Sequence, residues 1–323
     1  MNIKIAREEK AAPAWFVWAA LWIVYMVWGS TYLAIRYVVE TMPPFLAGGV
    51  RFVAAGLVMQ IVLMIRRGPK GVRVTPKEIL ACTFVGGALL FAGNGLVMVA
   101  EQSIPSGLAA LIVAAVPLWV VVLRSIFKDR VPRDTLIGVV VGFAGVGILV
   151  LPGSSGAAST TGMFTVVAAS AFWACGSFFS KRVPLPDDPF TSTTIQMLCG
   201  GVIMLLAGLV TGEGSRVDFD AFSTSSIIGL VYLIFAGSLL AFTAYTWLLQ
   251  HAPISKVATY AYVNPVVAIF LGWALLGEPV TLTIAIGATV IVGSVAYIVR
   301  RESRAAPELV EPHPEPVAQP ATN

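Results

Sequence analysis

The chain has 323 residues, 57% of them hydrophobic and only 12% charged, and a formal net charge of +4. Soluble domains carry roughly 25% charged residues, so this chain lacks the polar surface to remain in water, and its small net charge implies no broad nucleic-acid surface. Its three cysteines, Cys82, Cys175 and Cys199, fall inside apolar runs with no CxxC spacing, which indicates neither a metal site nor a redox pair.

A basic segment, 1–13 (Lys4, Arg7, Lys10), precedes the first apolar run, Ala14–Ala34. That run is longer than the apolar core of a signal peptide and no small-x-small cleavage site follows it, so it predicts an uncleaved transmembrane helix. A span needs about 20 apolar residues, with about 17 tolerated. Runs of that length recur at Phe45–Ile65, Ile79–Ala100, Gly107–Leu123 and Thr135–Leu151, then at Met163–Phe179, Phe190–Val210, Ile227–Leu249, Ser255–Leu276 and Thr281–Val299. They are uniformly apolar, without strand-like alternation, so ten helices are expected rather than a barrel. After Arg304 the chain is rich in Pro, Glu and Ala and is expected to be a disordered tail with His313 in solvent.

With the N-terminus placed in the cytoplasm, the inner segments hold 18 of the 21 Lys and Arg residues. The outer loops hold only Arg36 and Arg216, and Arg51 lies within a span. This bias predicts that both termini are cytoplasmic and that the span count is even. The two halves also resemble each other. Trp28-Gly29-Ser30 recurs as Cys175-Gly176-Ser177, 147 residues on, and Pro105 and Pro117 recur as Pro253 and Pro265, 148 residues on. Five spans is an odd number, so the second copy must be inserted upside down, an arrangement typical of secondary transporters. The chain then divides into a cytoplasmic segment 1–13, a first repeat 14–151, an extracytoplasmic linker 152–162, a second repeat 163–299 and a cytoplasmic tail 300–323.

Several stretches carry a family likeness: Trp28-Gly29-Ser30-Thr31-Tyr32, Pro43-Pro44, Ala47-Gly48-Gly49-Val50-Arg51-Phe52, Gly93-Asn94-Gly95 and Ala100-Glu101. So do Pro105-Ser106-Gly107-Leu108-Ala109-Ala110, Ala258-Thr259-Tyr260-Ala261-Tyr262-Val263-Asn264-Pro265 and Leu276-Gly277-Glu278. In these the chain, from Trp15 to Val299, resembles the EamA-type transporters of the drug/metabolite transporter (DMT) superfamily, the YedA-like exporters among them. The resemblance implies an all-α membrane protein of ten transmembrane helices, built as two inverted five-helix repeats around a central cavity. It implies that spans one, three, four, six, eight and nine line that cavity. It further implies export of small organic solutes such as amino acids, other metabolites or drugs across the cytoplasmic (inner) membrane. One departure lies after the fourth span, where many relatives carry a Gly-Glu pair and this chain has Lys128-Asp129-Arg130.

Polar groups within spans are the candidates for function, because each is costly in hydrocarbon. Tyr25, Trp28 and Tyr32 share one face of the first helix, with Ser30 beside them. Trp173 and Ser177 share a face of the sixth, Ser238, Phe242 and Tyr245 of the eighth, and Tyr260 and Asn264 of the ninth. Together with Asn94 in the third, they are candidates to line the cavity, since rings with polar tips suit an apolar or aromatic solute bearing hydrogen-bonding groups. The competing reading is packing or an interfacial belt, the role expected of Trp15, Trp18 and Trp22. Arg51 and Glu101 are expected to form an intramembrane charge pair, either fixing two helices or serving as an outer gate or a contact for a substrate carboxylate. Pro117 and Pro265 are expected to kink their helices, freeing the carbonyls of Val113 and Ala261. Glu278-Pro279 reads as helix punctuation, and Gly138, Gly142 and Gly145 as close helix packing.

No Asp stands at a span centre and neither His251 nor His313 is at midplane, so weak proton coupling, exchange or facilitated diffusion is expected. The same scarcity argues against a membrane-embedded enzyme, which needs an aligned cluster of His, carboxylate, Ser or Cys. A sensor or scaffold would need a folded soluble domain, for which the loops and tail are too short. The expected partners are a small-molecule solute and the lipid bilayer, with no cofactor, metal or nucleic acid, and a monomer is expected.

Overall fold

The structure, a computed structural model, describes residues 13–68, 73–151 and 158–305. The tail beyond residue 305, most of the N-terminal segment and the middle of the linker lie outside the described residues. Ten helical segments follow in order: α1 Ala14–Thr41, α2 Pro44–Arg67, α3 Pro76–Ala100, α4 Ser106–Ile126, α5 Arg133–Val150, α6 Thr160–Ser180, α7 Pro189–Val210, α8 Thr224–Leu249, α9 Tyr260–Leu276 and α10 Leu282–Arg301. All but α9 are at least 18 residues long and apolar enough to cross a membrane, and α9 has 17. No strand occurs among the described residues.

Local chemistry sets many of the boundaries. Pro76 opens α3 behind a capping box in which Thr75 accepts from the Glu78 N–H and Glu78 reaches back to the Thr75 N–H. Asp188 caps α7 by accepting from Thr191 N–H at 2.8 Å. The first helix runs on to Thr41 instead of stopping at Ala34. Val38 and Val39 continue its buried stripe, and the interrupting Arg36 donates to the main-chain oxygen of Glu101 at 2.5 Å. The ninth helix starts later than its apolar run suggests, because Ile254–Val257 forms a separate turn and the chain bends at Ala258-Thr259. The fourth is likewise broken at Ala114-Ala115, where Ala115 N–H bonds the Ile112 carbonyl and Leu118 N–H bonds the Ala115 carbonyl.

Two helices contain wide π-type turns, at Gly87–Gly95 in α3 and Leu233–Leu240 in α8. Their starts at positions 87 and 233 are 146 residues apart, close to the offset of the sequence repeat. The packing has the same symmetry. Helices α2 and α7, α4 and α9, and α5 and α10 pack across the division between halves, while α1 packs on α8 and α9 as α6 packs on α3 and α4. Exchanging the halves maps this set of contacts onto itself. Helices that each cross a bilayer must alternate in direction, so with five in each half α1 and α6 run antiparallel and the repeats are inverted.

The two ends of the bundle differ in chemistry. One end carries the ion pairs Arg67–Asp188 at 2.5 Å, Arg182–Asp129 at 2.6 Å and Arg301–Asp134. At the other, Glu213 accepts from the N–H groups of Phe45 and Leu46, and Arg36 meets Glu101. Trp15, Trp18 and Trp22 are more than half exposed on α1, and apolar residues such as Leu57, Ile61 and Ile65 are similarly exposed on α2, as a lipid-facing surface requires.

Candidate functional site

Three helices of the pseudo-symmetric bundle, α1, α8 and α9, bring a set of aromatic side chains together. The Trp28 ring lies 5.1 Å from that of Tyr245 and 5.2 Å from that of Tyr260, and the two tyrosine rings are 5.6 Å apart, edge to face. Phe242 adds a fourth ring, 6.3 Å from Trp28. The helix spacing explains this convergence, since Phe242 and Tyr245 are three residues apart on α8 and share its inner face. Polar tips fix the rings. The Trp28 indole N–H donates to the Gly237 carbonyl at 3.2 Å, and the Tyr25 hydroxyl pairs with the Thr259 hydroxyl at the bend before α9. Ser30 pairs with the Tyr232 hydroxyl at 2.6 Å and donates to the Val27 carbonyl.

Helix α9 reaches this cluster because Gly29 leaves room for it. A Cβ there would stand 2.6 Å from Val267 and 3.3 Å from the Asn264 main-chain oxygen. The Asn264 side chain is buried, and its Oδ1 has no hydrogen-bond partner, an energetically costly state for a buried acceptor. Pro265 sits inside α9 without breaking it, whereas Pro117 follows the break in α4. Tyr32 packs against the larger core that α4 enters.

Trp173 is not in this cluster but at the contact of α3 with α6, and Asn94 and Ser177 lie on those two helices. Asn94 belongs to the wide turn of α3, and Trp173 packs on neighbouring Gly93, where a Cβ would stand 3.1 Å from the ring. The Ser177 carbonyl accepts from Ser180 Oγ. The repeated Gly176 faces Leu89 of α3, whereas Gly29 faces α9, so the equivalent glycines serve different neighbours and the halves are not in identical conformations.

Arg51 and Glu101 do not form the expected pair. Arg51 is 5% exposed; its Nε donates to Ser238 Oγ at 3.0 Å and its guanidinium lies 4.6 Å over the Phe52 ring. Glu101 is fully buried, and neither carboxylate oxygen has a hydrogen-bond partner. The reason is the direction in which each helix packs. Helix α2 turns Arg51 toward the wide turn of α8, while Glu101, just past the end of α3, sits beside Arg36 of α1, which donates to its main-chain oxygen.

Glu278 does more than punctuate a turn. Its Oε1 accepts from Ser106 N–H at 2.7 Å and its Oε2 from Gly107 N–H at 3.1 Å, closing the start of α4 from the opposite repeat. Proline explains the need. Helix α4 follows Pro105 and has no side-chain cap of its own, so its free N–H groups take a remote carboxylate. The same holds for Pro43, α2 and Glu213. A proline at the N-cap leaves a helix start without a side-chain acceptor of its own, and in α2 and α4 Glu213 and Glu278 supply it. Glu278 follows Gly277, whose φ is 64°, and in the other half Asp129 follows Lys128, whose φ is 60°. The two loops thus share a left-handed residue followed by an acid, but Asp129 is held by Arg182.

The two hollows described are elsewhere. A groove of about 390 Å³ runs between α5 and α10, lined by Asp134, Ile137, Gly138, Val141, Gly293 and Tyr297 among others, and a hollow of about 10 Å³ lies beside Glu278. Neither is bounded by the aromatic cluster, whose rings close on one another. Among the described residues no group of three His, Cys, Asp or Glu side chains is placed to hold a metal.

The sequence profile of the EamA-like transporter family matches residues 15–151 and 160–300. The chain is 36% identical to the inner membrane transporter YedA of Escherichia coli K12, over 81% of this chain and 83% of that one. It is 28% identical to the transporter YvbV of Bacillus subtilis, covering 86% and 90% of the two chains. It is 26% identical to a Salmonella typhimurium protein described as a "probable amino-acid metabolite efflux pump", covering 87% and 96%. A solved structure titled "Crystal structure of protein" shares the fold, with a TM-score of 0.61 over 89% of this chain and 98% of that one, at 20% identity.

Proposed function

Since the chain belongs to the EamA-like transporter family, we propose that it is a secondary transporter that exports small organic solutes across the inner membrane by alternating access. Both termini lie in the cytoplasm in this reading, which puts the ion-paired end inside and the Glu278 end outside. Amino acids and related amphipathic metabolites are the favoured cargo, because aromatic rings with hydroxyl and indole tips meet on α1, α8 and α9, and because a relative is described as an amino-acid metabolite efflux pump. Movement follows the solute's own gradient, as exchange or facilitated diffusion, or draws on weak proton coupling, with the protein acting as a monomer.

The observation that carries this reading is the unequal use of two equivalent latches. Outside, Glu278 crosses between the halves and closes the start of α4. Inside, its counterpart Asp129 is engaged by Arg182 at 2.6 Å. Two inverted repeats in unlike conformations face one side; exchanging those conformations faces the other. The bends at Ala114-Ala115 and Ala258-Thr259, and the wide turns of α3 and α8, are the places where such an exchange can flex.

Proteoliposomes loaded with a panel of labelled amino acids and amphipathic organic solutes test this. Efflux above that of protein-free vesicles is expected for part of the panel, and Tyr260→Ala and Asn264→Ala should slow it while membrane levels stay unchanged. If no solute moves, the transport reading of this chain is wrong. Loss of membrane expression in both variants would assign the two residues to packing.

A further inference from the structure

The uncompensated charge of Arg51 carries an inference about the cargo, and it rests on the transporter reading above. A guanidinium keeps its charge at any physiological pH, and a charge buried without a counter-ion is costly. Among the described residues no carboxylate forms an ion pair with Arg51, and its Nη1 is buried with no hydrogen-bond partner. The side chain is nonetheless held in place. Nε is anchored on Ser238 Oγ, and Nη2 lies 3.4 Å from where a Cβ on Gly237 would stand, so it rests against the main chain of the wide turn. A guanidinium fixed by one nitrogen, with a donor edge left over, is arranged to receive an anion.

What lies next to that edge defines the rest of the ligand. Gly237 takes the Trp28 indole N–H on its carbonyl, so Arg51 and Trp28 converge on one residue. Ser238, Phe242 and Tyr245 follow one another along one face of α8, about 10 Å from first to last at the helical rise. Trp28 and Tyr260 close over the far end of this strip. The strip has a cationic head and an aromatic bed.

We propose that Arg51, positioned by Ser238, is the anion subsite of the transport site, and that the cargo is a carboxylate bearing a flat apolar body that lies on Trp28, Phe242 and Tyr245. The ligand's carboxylate supplies the missing counter-ion. Its ring replaces contacts the four side chains now make with each other.

The test uses the full-length protein in detergent and in liposomes, with 3-phenylpropanoate, its neutral amide 3-phenylpropanamide, and acetate as probes. Thermal unfolding should respond to the acid at concentrations at least tenfold below those needed for the amide, and acetate should be weaker than the acid. Arg51→Gln should abolish the preference for acid over amide, Ser238→Ala should reduce it, and Arg51→Lys should keep part of it. Equal responses to acid and amide in the unaltered protein would overturn the proposal, as would a preference that survives in Arg51→Gln. Should that variant fail to fold, the comparison of the three probes on the unaltered protein decides by itself. Counterflow of the same labelled probes separates the two readings. Acid bound but not moved defeats transport and keeps the subsite, whereas amide moved as fast as acid does the reverse.

Discussion

Replacing Glu278 by Gln removes a negative charge from the start of α4 while keeping a side chain of the same size. The carboxylate accepts two main-chain N–H bonds, at 2.7 and 3.1 Å. Bonds to a charged group contribute about 1.5–3 kcal/mol each, against about 0.5–1.5 for neutral ones, and the helix dipole adds about 0.3–1 kcal/mol for an anion at this end. Glutamine offers one acceptor oxygen and no charge, so the latch should weaken by about 2 kcal/mol, a factor of roughly 30 in its closed-to-open ratio. The assay is the labelling of Ser106→Cys by an impermeant maleimide, with Cys175 and Cys199 replaced by Ser. Ser106 is fully buried and its hydroxyl has no partner, so cysteine fits there and is reached only when the latch opens. The labelling rate should rise by about that factor in Glu278→Gln. Cys82, fully buried on α3, reports global unfolding in the same sample. An unchanged rate at position 106 would refute the latch, and so would a rise matched by equal labelling of Cys82.

Three other perturbations follow from single contacts. Burial pushes the Asp188 carboxyl up, but hydrogen bonds from Arg67 and Thr191 win and hold it below the usual carboxylate range. A depressed folded pKa stabilises above the unfolded value of about 3.9 and is lost as pH falls through the folded one. Acid unfolding of the detergent-solubilised protein should therefore show a step below about pH 4 that Asp188→Asn lacks. At neutral pH the substitution should cost only about 0.5–1 kcal/mol, since both partners are partly exposed. Gly86→Ala places a Cβ 2.5 Å from the Gln196 main-chain oxygen on α7, and because backbone cannot rotate away, a loss of about 1–3 kcal/mol is expected; an unchanged melting temperature would contradict it. Lys128→Gly relieves a left-handed residue and should raise the melting temperature by the equivalent of about 1 kcal/mol, a gain that calorimetry can read.

The aromatic site shows how far sequence reading extends. Tyr25, Trp28, Tyr245 and Tyr260 meet because 3.6-residue periodicity fixes which residues share a face, and periodicity is visible in sequence. Which face meets which neighbour is set by side-chain packing between helices distant in the chain. Arg51 turned to Ser238 rather than to Glu101 for that reason, and Trp173 joined Gly93 rather than Trp28. The break before α9 is not legible in hydropathy: Lys256 marks an end of the bundle, but the separate turn Ile254–Val257 and the bend at Ala258-Thr259 are set by main-chain hydrogen bonds that composition does not record.

The amino-acid order alone settled the number of hydrocarbon-length helices and the duplication of five, since both follow from the cost of placing polar groups in lipid and from recurring residues. The family likeness rested on short motifs that need no coordinates to recognise. Packing decided the rest: the wide turns at equivalent places in α3 and α8, the remote caps supplied by Glu213 and Glu278, and the isolation of the Arg51 guanidinium. The bonds of Glu213, Glu278 and Arg51 form only when segments more than a hundred residues apart in the chain are brought within about 3 Å of one another, and no local pattern encodes that distance.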